Sequence, residues 1–105
     1  MRNLIIVFIS LFTFCIGISG QQKCKLNVGS FNLRYDNEGD KDDSWAHRKD
    51  MAVSLVHFHD FDVFGIQEGL IHQVKDLVKD GTYTFVGVGR DDGKEAGEHA
   101  AVLFK

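Results

Sequence analysis

The chain has 105 residues, of which 44% are hydrophobic and 26% are charged, and it contains no proline. This length allows one small domain at most, and the composition is that of a folded protein rather than a disordered one. The formal net charge of −3 argues against a domain that holds polyanions on a broad basic surface.

The first twenty residues differ in kind from the rest of the chain. Arg2 is their only charge, residues 4–18 are almost wholly apolar, and small residues follow. This pattern predicts a secretory signal peptide over residues 1–20, and hence a secreted or periplasmic protein with no membrane contact after cleavage. An uncleaved membrane anchor is the alternative, because the apolar run approaches the length that spans a bilayer. Cleavage would leave Cys24 as a single thiol, which cannot form an internal disulfide.

A polar leader, residues 21–25, precedes the predicted domain at residues 26–105. A first strand is predicted over residues 26–33, and its apolar side chains on both faces are typical of a strand covered on both sides. An acidic loop over residues 34–43 follows. Ser44 is then predicted to cap a helix that runs to His57 or Phe58.

The second predicted strand, Asp62 to Glu68, is a short apolar run that ends in a carboxylate. Strand, helix and strand in this order favour two parallel neighbouring strands joined by the helix. The carboxyl ends of parallel strands share one edge of the sheet, where open α/β sheets bind their ligands. We therefore expect Asn32, at the end of the first strand, and Glu68 to emerge together.

The remainder of the sequence predicts a helix over residues 70–78 that ends near Gly81, a strand over residues 83–88, a long hairpin loop and a last strand from Glu98. A chain that stops on an apolar strand would leave an exposed sheet edge, which is an aggregation liability. This expected edge favours the front part of a longer domain.

Four motifs occur in order after the leader. They are Ser30-Phe31-Asn32-Leu33-Arg34-Tyr35-Asp36, Ser44-Trp45-x-x-Arg48, Asp62-Val63-Phe64-Gly65-Ile66-Gln67-Glu68, and Val86-Gly87-Val88-Gly89-Arg90-Asp91-Asp92-Gly93 with Gly97-Glu98. In this order they resemble the amino-terminal part of the endonuclease/exonuclease/phosphatase superfamily. Within that superfamily they are most similar to the secreted bacterial metal-dependent hydrolases.

The resemblance implies a DNase I-like α/β fold, a four-layer sandwich of mixed sheets with outer helices, of which only the amino-terminal half is present. It also implies a phosphodiesterase-like or nuclease-like hydrolase of phosphoester bonds that depends on Mg²⁺, with Mn²⁺ or Ca²⁺ as alternatives. The substrate would be a phosphoester of nucleic acid, phospholipid or sugar phosphate, with no stable nucleic-acid complex. Hard divalent ions bind carboxylate and amide oxygens and polarise phosphoryl oxygens.

The resemblance assigns four site residues by position. Glu68 matches the metal-ligating glutamate of the family, and Asn32 matches the asparagine that positions the metal and the phosphate. Both are therefore predicted as catalytic residues and metal ligands, with Asn32 also binding substrate. Glu98 matches a further catalytic glutamate of some members, and Arg90 lies in a loop expected to bind substrate. From spacing alone, Glu68 could equally be a helix-capping acid and Asn32 a turn former.

The general-base histidine of the family, its orienting aspartate and its phosphate-holding residues match nothing up to residue 105. Activation of water then lacks its base, so the chain alone is expected to be inactive. None of the five histidines is assigned this role. Trp45 and Arg48 are predicted as structural anchors. The alternative function is a non-catalytic secreted binding module, or an inactive truncated product, in which residues 34–43 bind a cation or a basic partner.

Overall fold

The computed structural model describes residue 20 and residues 23–105. Its elements in chain order are β1 (Val28–Asn32), a 3-10 helix (Glu38–Asp43), α1 (Trp45–His59), β2 (Val63–Gly69), α2 (Ile71–Val78), β3 (Thr84–Val86) and β4 (His99–Phe104). The predicted signal peptide, apart from residue 20, lies outside the described residues and stays a prediction. Within the described part of the chain, no helix combines the length and the apolar character needed to cross a membrane.

The four strands form one mixed sheet in the order β1-β2-β4-β3. β1 and β2 are parallel, with Asn32 opposite Gln67, so the predicted parallel pair is confirmed. β4 is antiparallel to both β2 and β3, and the hairpin predicted between β3 and β4 is present. The carboxyl ends of β1 and β2 therefore meet at one rim of the sheet.

The position of β4 corrects the prediction that the last strand leaves an exposed edge. β4 pairs with β2 on one side and with β3 on the other, so its backbone is hydrogen-bonded on both sides. The edges of this sheet are β1 and β3. Because the final strand is an inner strand, the edge expected from chain order does not exist and supports nothing about the extent of the domain.

The core lies on one face of the sheet. Alternate residues of β2 and β4 are buried there against side chains from the two helices. This core comprises Leu33, Trp45, Ala52, Val56, Phe64, Ile66, Val74, Leu77, Tyr83, Ala101 and Leu103. On the opposite face Val28 is 64% exposed, so β1 is not covered on both faces within the described residues. These residues thus form a sheet layer and a helix layer of the predicted sandwich.

Helix α1 begins by a different contact from the one predicted. Ser44 stands at the N-cap position, but its side chain makes no capping hydrogen bond. The N–H of Trp45 donates instead to the carboxylate of Asp36, at 3.1 Å. The indole N–H of Trp45, which is 2% exposed, donates to Asp76 of α2 at 2.8 Å. Trp45 therefore joins the two helices, in agreement with its predicted role as an anchor.

Two leucine substitutions, one in β4 and one on the exposed side of α1, test the described core. Leu103→Ala removes a side chain that is 0% exposed. It should lower the free energy of unfolding by about 2–5 kcal/mol, because burial is lost and a cavity remains. Leu55→Ala, at a position 42% exposed, should cost about 1 kcal/mol or less. Urea unfolding of the two variants measures both values, and equal costs would contradict the described core.

Candidate active site

The predicted pair of Asn32 and Glu68 lies together at the carboxyl rim of β1 and β2. The side-chain amide of Asn32 donates a hydrogen bond to Oε1 of Glu68, at 2.9 Å. The backbone N–H of Tyr35 donates to Oε2 of Glu68, at 3.4 Å. The catalytic and metal-binding roles of the two residues stay predictions, but the geometry they require is present.

A β-bulge makes this contact, and sequence reasoning did not predict it. Ile66 pairs with Ala101 and Gly69 pairs with His99, so β2 has one more residue than β4 between these pairs. A regular strand would turn Glu68 to the helix-covered face, opposite to Asn32, because side chains alternate between faces. Instead Glu68 has a left-handed backbone with φ of 58°. The extra residue redirects its carboxylate towards Asn32.

The turn after β1 is fixed by side chains from both helices. Oδ1 of Asn32 accepts the N–H of Arg34, at 2.8 Å, and Arg34 is itself left-handed with φ of 58°. The carbonyl of Arg34 accepts a hydrogen bond from Gln73 at 3.0 Å, and Arg48 donates to the carbonyl of Leu33 at 3.1 Å. Arg48 is thus an anchor, as predicted, and it holds the turn that carries Asn32.

Gln73 was missed by the sequence analysis. It is 0% exposed, and its Oε1 accepts the N–H of Leu70 at 2.9 Å while its Nε2 holds Arg34. The sequence indicates this role only through the position of Gln73, three residues after Leu70. At that position a glutamine side chain can bond to the backbone of the residue that caps the start of a helix. A buried amide with both ends used in this way links α2 to the turn beside the site.

Arg90 and Glu98 face each other across the β3–β4 loop as an ion pair. Arg90 also lies 3.5 Å, by its Nε, from the carboxylate of Asp91. Both members of the pair line a pocket of about 450 Å³ that Glu68 lines as well. All four predicted site residues are therefore in one region, since Asn32 is bonded to Glu68 at its border.

The loop that carries Arg90 is held by its own hydrogen bonds. Asp92 accepts the N–H groups of Lys94 and Ala96, at 2.7 and 3.0 Å, and these bonds hold the pKa of the Asp92 carboxyl below its usual range. Gly97 has φ of 83°, and a Cβ there would lie 2.5 Å from the carboxylate of Asp91. These contacts therefore define the backbone conformation of the loop that carries Arg90.

His99 also borders the pocket, but its side chain belongs to the core side of β4, as the alternation with Ala101 and Leu103 shows. Its Nδ1–H donates to the carbonyl of Gly97 at 3.1 Å, and within residues 23–105 its buried Nε2 has no hydrogen-bond partner. A second groove, of about 540 Å³ and lined by residues such as Lys49 and Asp76, lies away from all four predicted site residues.

No protein-family model and no curated protein matches the sequence. Solved structures do match it. A mannosyl-6-phosphatase from Bacteroides thetaiotaomicron is 44% identical with a TM-score of 0.73, over 77% of this chain and 32% of that chain. An endonuclease/exonuclease/phosphatase family protein from the same organism is 43% identical with a TM-score of 0.77, over 81% and 32% of the two chains. Another from Bacteroides vulgatus is 40% identical with a TM-score of 0.76, over 79% and 32%.

The chain belongs to the endonuclease/exonuclease/phosphatase family. The predicted family and its DNase I-like fold class are confirmed by these structures and by the mixed sheet. The chain spans about 32% of the length of the structures it matches.

The charge state of Glu68 follows from its contacts within the described residues. The hydrogen bond from Asn32, the N–H of Tyr35 and the charge of Arg34 together hold the pKa of the Glu68 carboxyl below its usual range. An ionised, solvent-accessible carboxylate is a suitable ligand for a hard divalent ion. Oδ1 of Asn32 already accepts the N–H of Arg34, so it has one lone pair left for an ion. Within the described residues, no group of three or more His, Cys, Asp or Glu side chains is placed to hold a metal.

Asn32→Ala should raise the pKa of Glu68 towards its ordinary value, because the largest contribution to its ionised form is lost. The stability that an ionised Glu68 adds is present above its ordinary pKa and is lost as pH falls through the lowered one, so Asn32→Ala should also be less sensitive to acid. Carbon-13 NMR titration of the Glu68 carboxyl measures the shift. Ser30→Ala, on the same face of β1, should leave it unchanged, and an unaltered pKa in Asn32→Ala would contradict the described contact.

Proposed function

We propose that this chain supplies the Asn32 and Glu68 part of the active site of a metal-dependent phosphoester hydrolase. The observation that carries the proposal is the hydrogen bond between the two side chains at the carboxyl rim of parallel strands. Membership of the endonuclease/exonuclease/phosphatase family supports the reaction class, and the match to a mannosyl-6-phosphatase makes a sugar phosphate one candidate substrate beside nucleic acid and phospholipid.

Each residue contributes a separate physical effect. Glu68 would hold a Mg²⁺ ion through its ionised carboxylate, and Asn32 would keep that carboxylate aimed at the rim. Partners that orient a metal ligand in this way commonly strengthen metal binding. The bound ion would supply positive charge that stabilises phosphoryl oxygens as the ester bond breaks.

Within residues 23–105, neither His72 nor His99 is placed as the base that activates water at this rim. Nε2 of His72 lies 2.8 Å from Oδ2 of Asp36 and is paired with it. The side chain of His99 lies on the core side of the sheet. Neither is placed to take a proton from water beside Glu68. The activity is therefore proposed for the whole protein, secreted through the signal peptide predicted over residues 1–20, and the chain alone is expected to be inactive.

The alternative of a binding module that uses the acidic loop has less support. Arg34 binds Asp40 through two hydrogen bonds, at 2.8 and 2.7 Å, and holds the pKa of that carboxyl below its usual range. Asp36 is engaged by Trp45 and His72. Asp36 and Asp40 are thus occupied by contacts within the chain, whereas Glu68 lines an open pocket.

Titration calorimetry with Mg²⁺ tests the proposed ligand. Glu68→Gln should abolish measurable binding, and Asn32→Ala should weaken it by roughly tenfold, because it removes a partner that orients the ligand. Glu38→Gln, the same change within the acidic loop, should bind Mg²⁺ as the unmodified protein does. Binding that survives Glu68→Gln and is lost in Glu38→Gln would overturn the proposal in favour of the binding module.

A further inference from the structure

The pocket beside Glu68 is lined by more carboxylates than guanidinium groups. Two carboxylates, from Glu68 and Glu98, line it with a single guanidinium, that of Arg90. Arg90 is paired with Glu98 and also lies near Asp91. Its positive charge is therefore already compensated within the loop, and it adds little attraction for a second anion.

The same groups are well suited to hydroxyl groups. A carboxylate accepts a hydrogen bond from an alcohol O–H, and a guanidinium donates to its oxygen, so an Arg–Glu pair offers both functions side by side. Gln67 extends this polar lining on the β2 side of the pocket. The volume of about 450 Å³ is within the range of small-molecule sites, which is about 300–1,000 Å³.

We infer that the Arg90–Glu98 pair forms a subsite for the neutral, hydroxyl-rich alcohol half of a phosphomonoester. The subsite lies next to the position where Glu68 would hold the metal and the phosphate, so this inference rests on the proposed function. Because Glu98 and Asp91 already compensate the charge of Arg90, the subsite would give no attraction to leaving groups that carry their own negative charge. Such groups include the flanking phosphates of nucleic acid and the carboxylate of an acidic sugar.

Three substrates that differ in their alcohol half test this subsite in the complete gene product with Mg²⁺. Mannose 6-phosphate releases a neutral polyol, whereas 6-phosphogluconate releases a polyol with a carboxylate, and p-nitrophenyl phosphate releases an alcohol without sugar hydroxyls. We expect kcat/KM to be highest for mannose 6-phosphate. Glu98→Gln should lower the ratio of kcat/KM for mannose 6-phosphate to kcat/KM for p-nitrophenyl phosphate by about tenfold, because a neutral amide replaces the charged acceptor and weakens the hydrogen bond to the sugar hydroxyl. It should also reduce the discrimination against 6-phosphogluconate.

Glu95→Gln is the matched control, since Glu95 lies in the same loop but pairs with Lys75 of α2, at 3.0 Å. Its substrate ratios should equal those of the unmodified protein. Turnover that depends on Glu68 but keeps its ratios in Glu98→Gln would overturn the subsite alone. A complete absence of Mg²⁺-dependent turnover would overturn the proposed function and the subsite with it.

Discussion

One contact across two parallel strands organises this part of the protein: the hydrogen bond from the amide of Asn32 to the carboxylate of Glu68. A regular β2 could not make it, because Gln67 shares the open face with Asn32 and the next residue, Glu68, would face the helices. The bulge in β2 and the left-handed backbone of Glu68 overcome this alternation. A left-handed non-glycine residue costs about 1–2 kcal/mol, so the surrounding fold must stabilise it.

The two helices stabilise the rim through hydrogen bonds to the turn that follows β1. Arg48 of α1 and Gln73 of α2 bind the carbonyls of the turn that follows Asn32. Trp45 joins the same two helices through Asp76. The burial of the core and the position of the rim are thus coupled, because the residues that hold the turn belong to helices packed on the sheet. A substitution in the helix layer can therefore disturb the rim without contacting substrate.

The parallel pairing of β1 and β2, the β3–β4 hairpin, the two helices and the family could be predicted because each depends on local patterns. Apolar runs bounded by turn residues mark β1 and β2, and a helix between them makes parallel pairing the default. The features that could not be predicted all depend on distant partners. The bulge at Glu68 is defined only by the pairing of β2 with β4, which begins thirty residues later at His99. The inner position of β4 and the capping of α1 by Asp36, rather than Ser44, have the same non-local origin.

The most direct measurement is the nuclear Overhauser effect between the side-chain amide protons of Asn32 and the side-chain methylene protons of Glu68. The 2.9 Å hydrogen bond places these protons close enough for a cross-peak, which should be present near neutral pH. A missing cross-peak, together with contacts from the Glu68 side chain to Val74 on the helix side, would mean that the strand continues its regular alternation. The shared rim, and the metal site proposed on it, would then not exist.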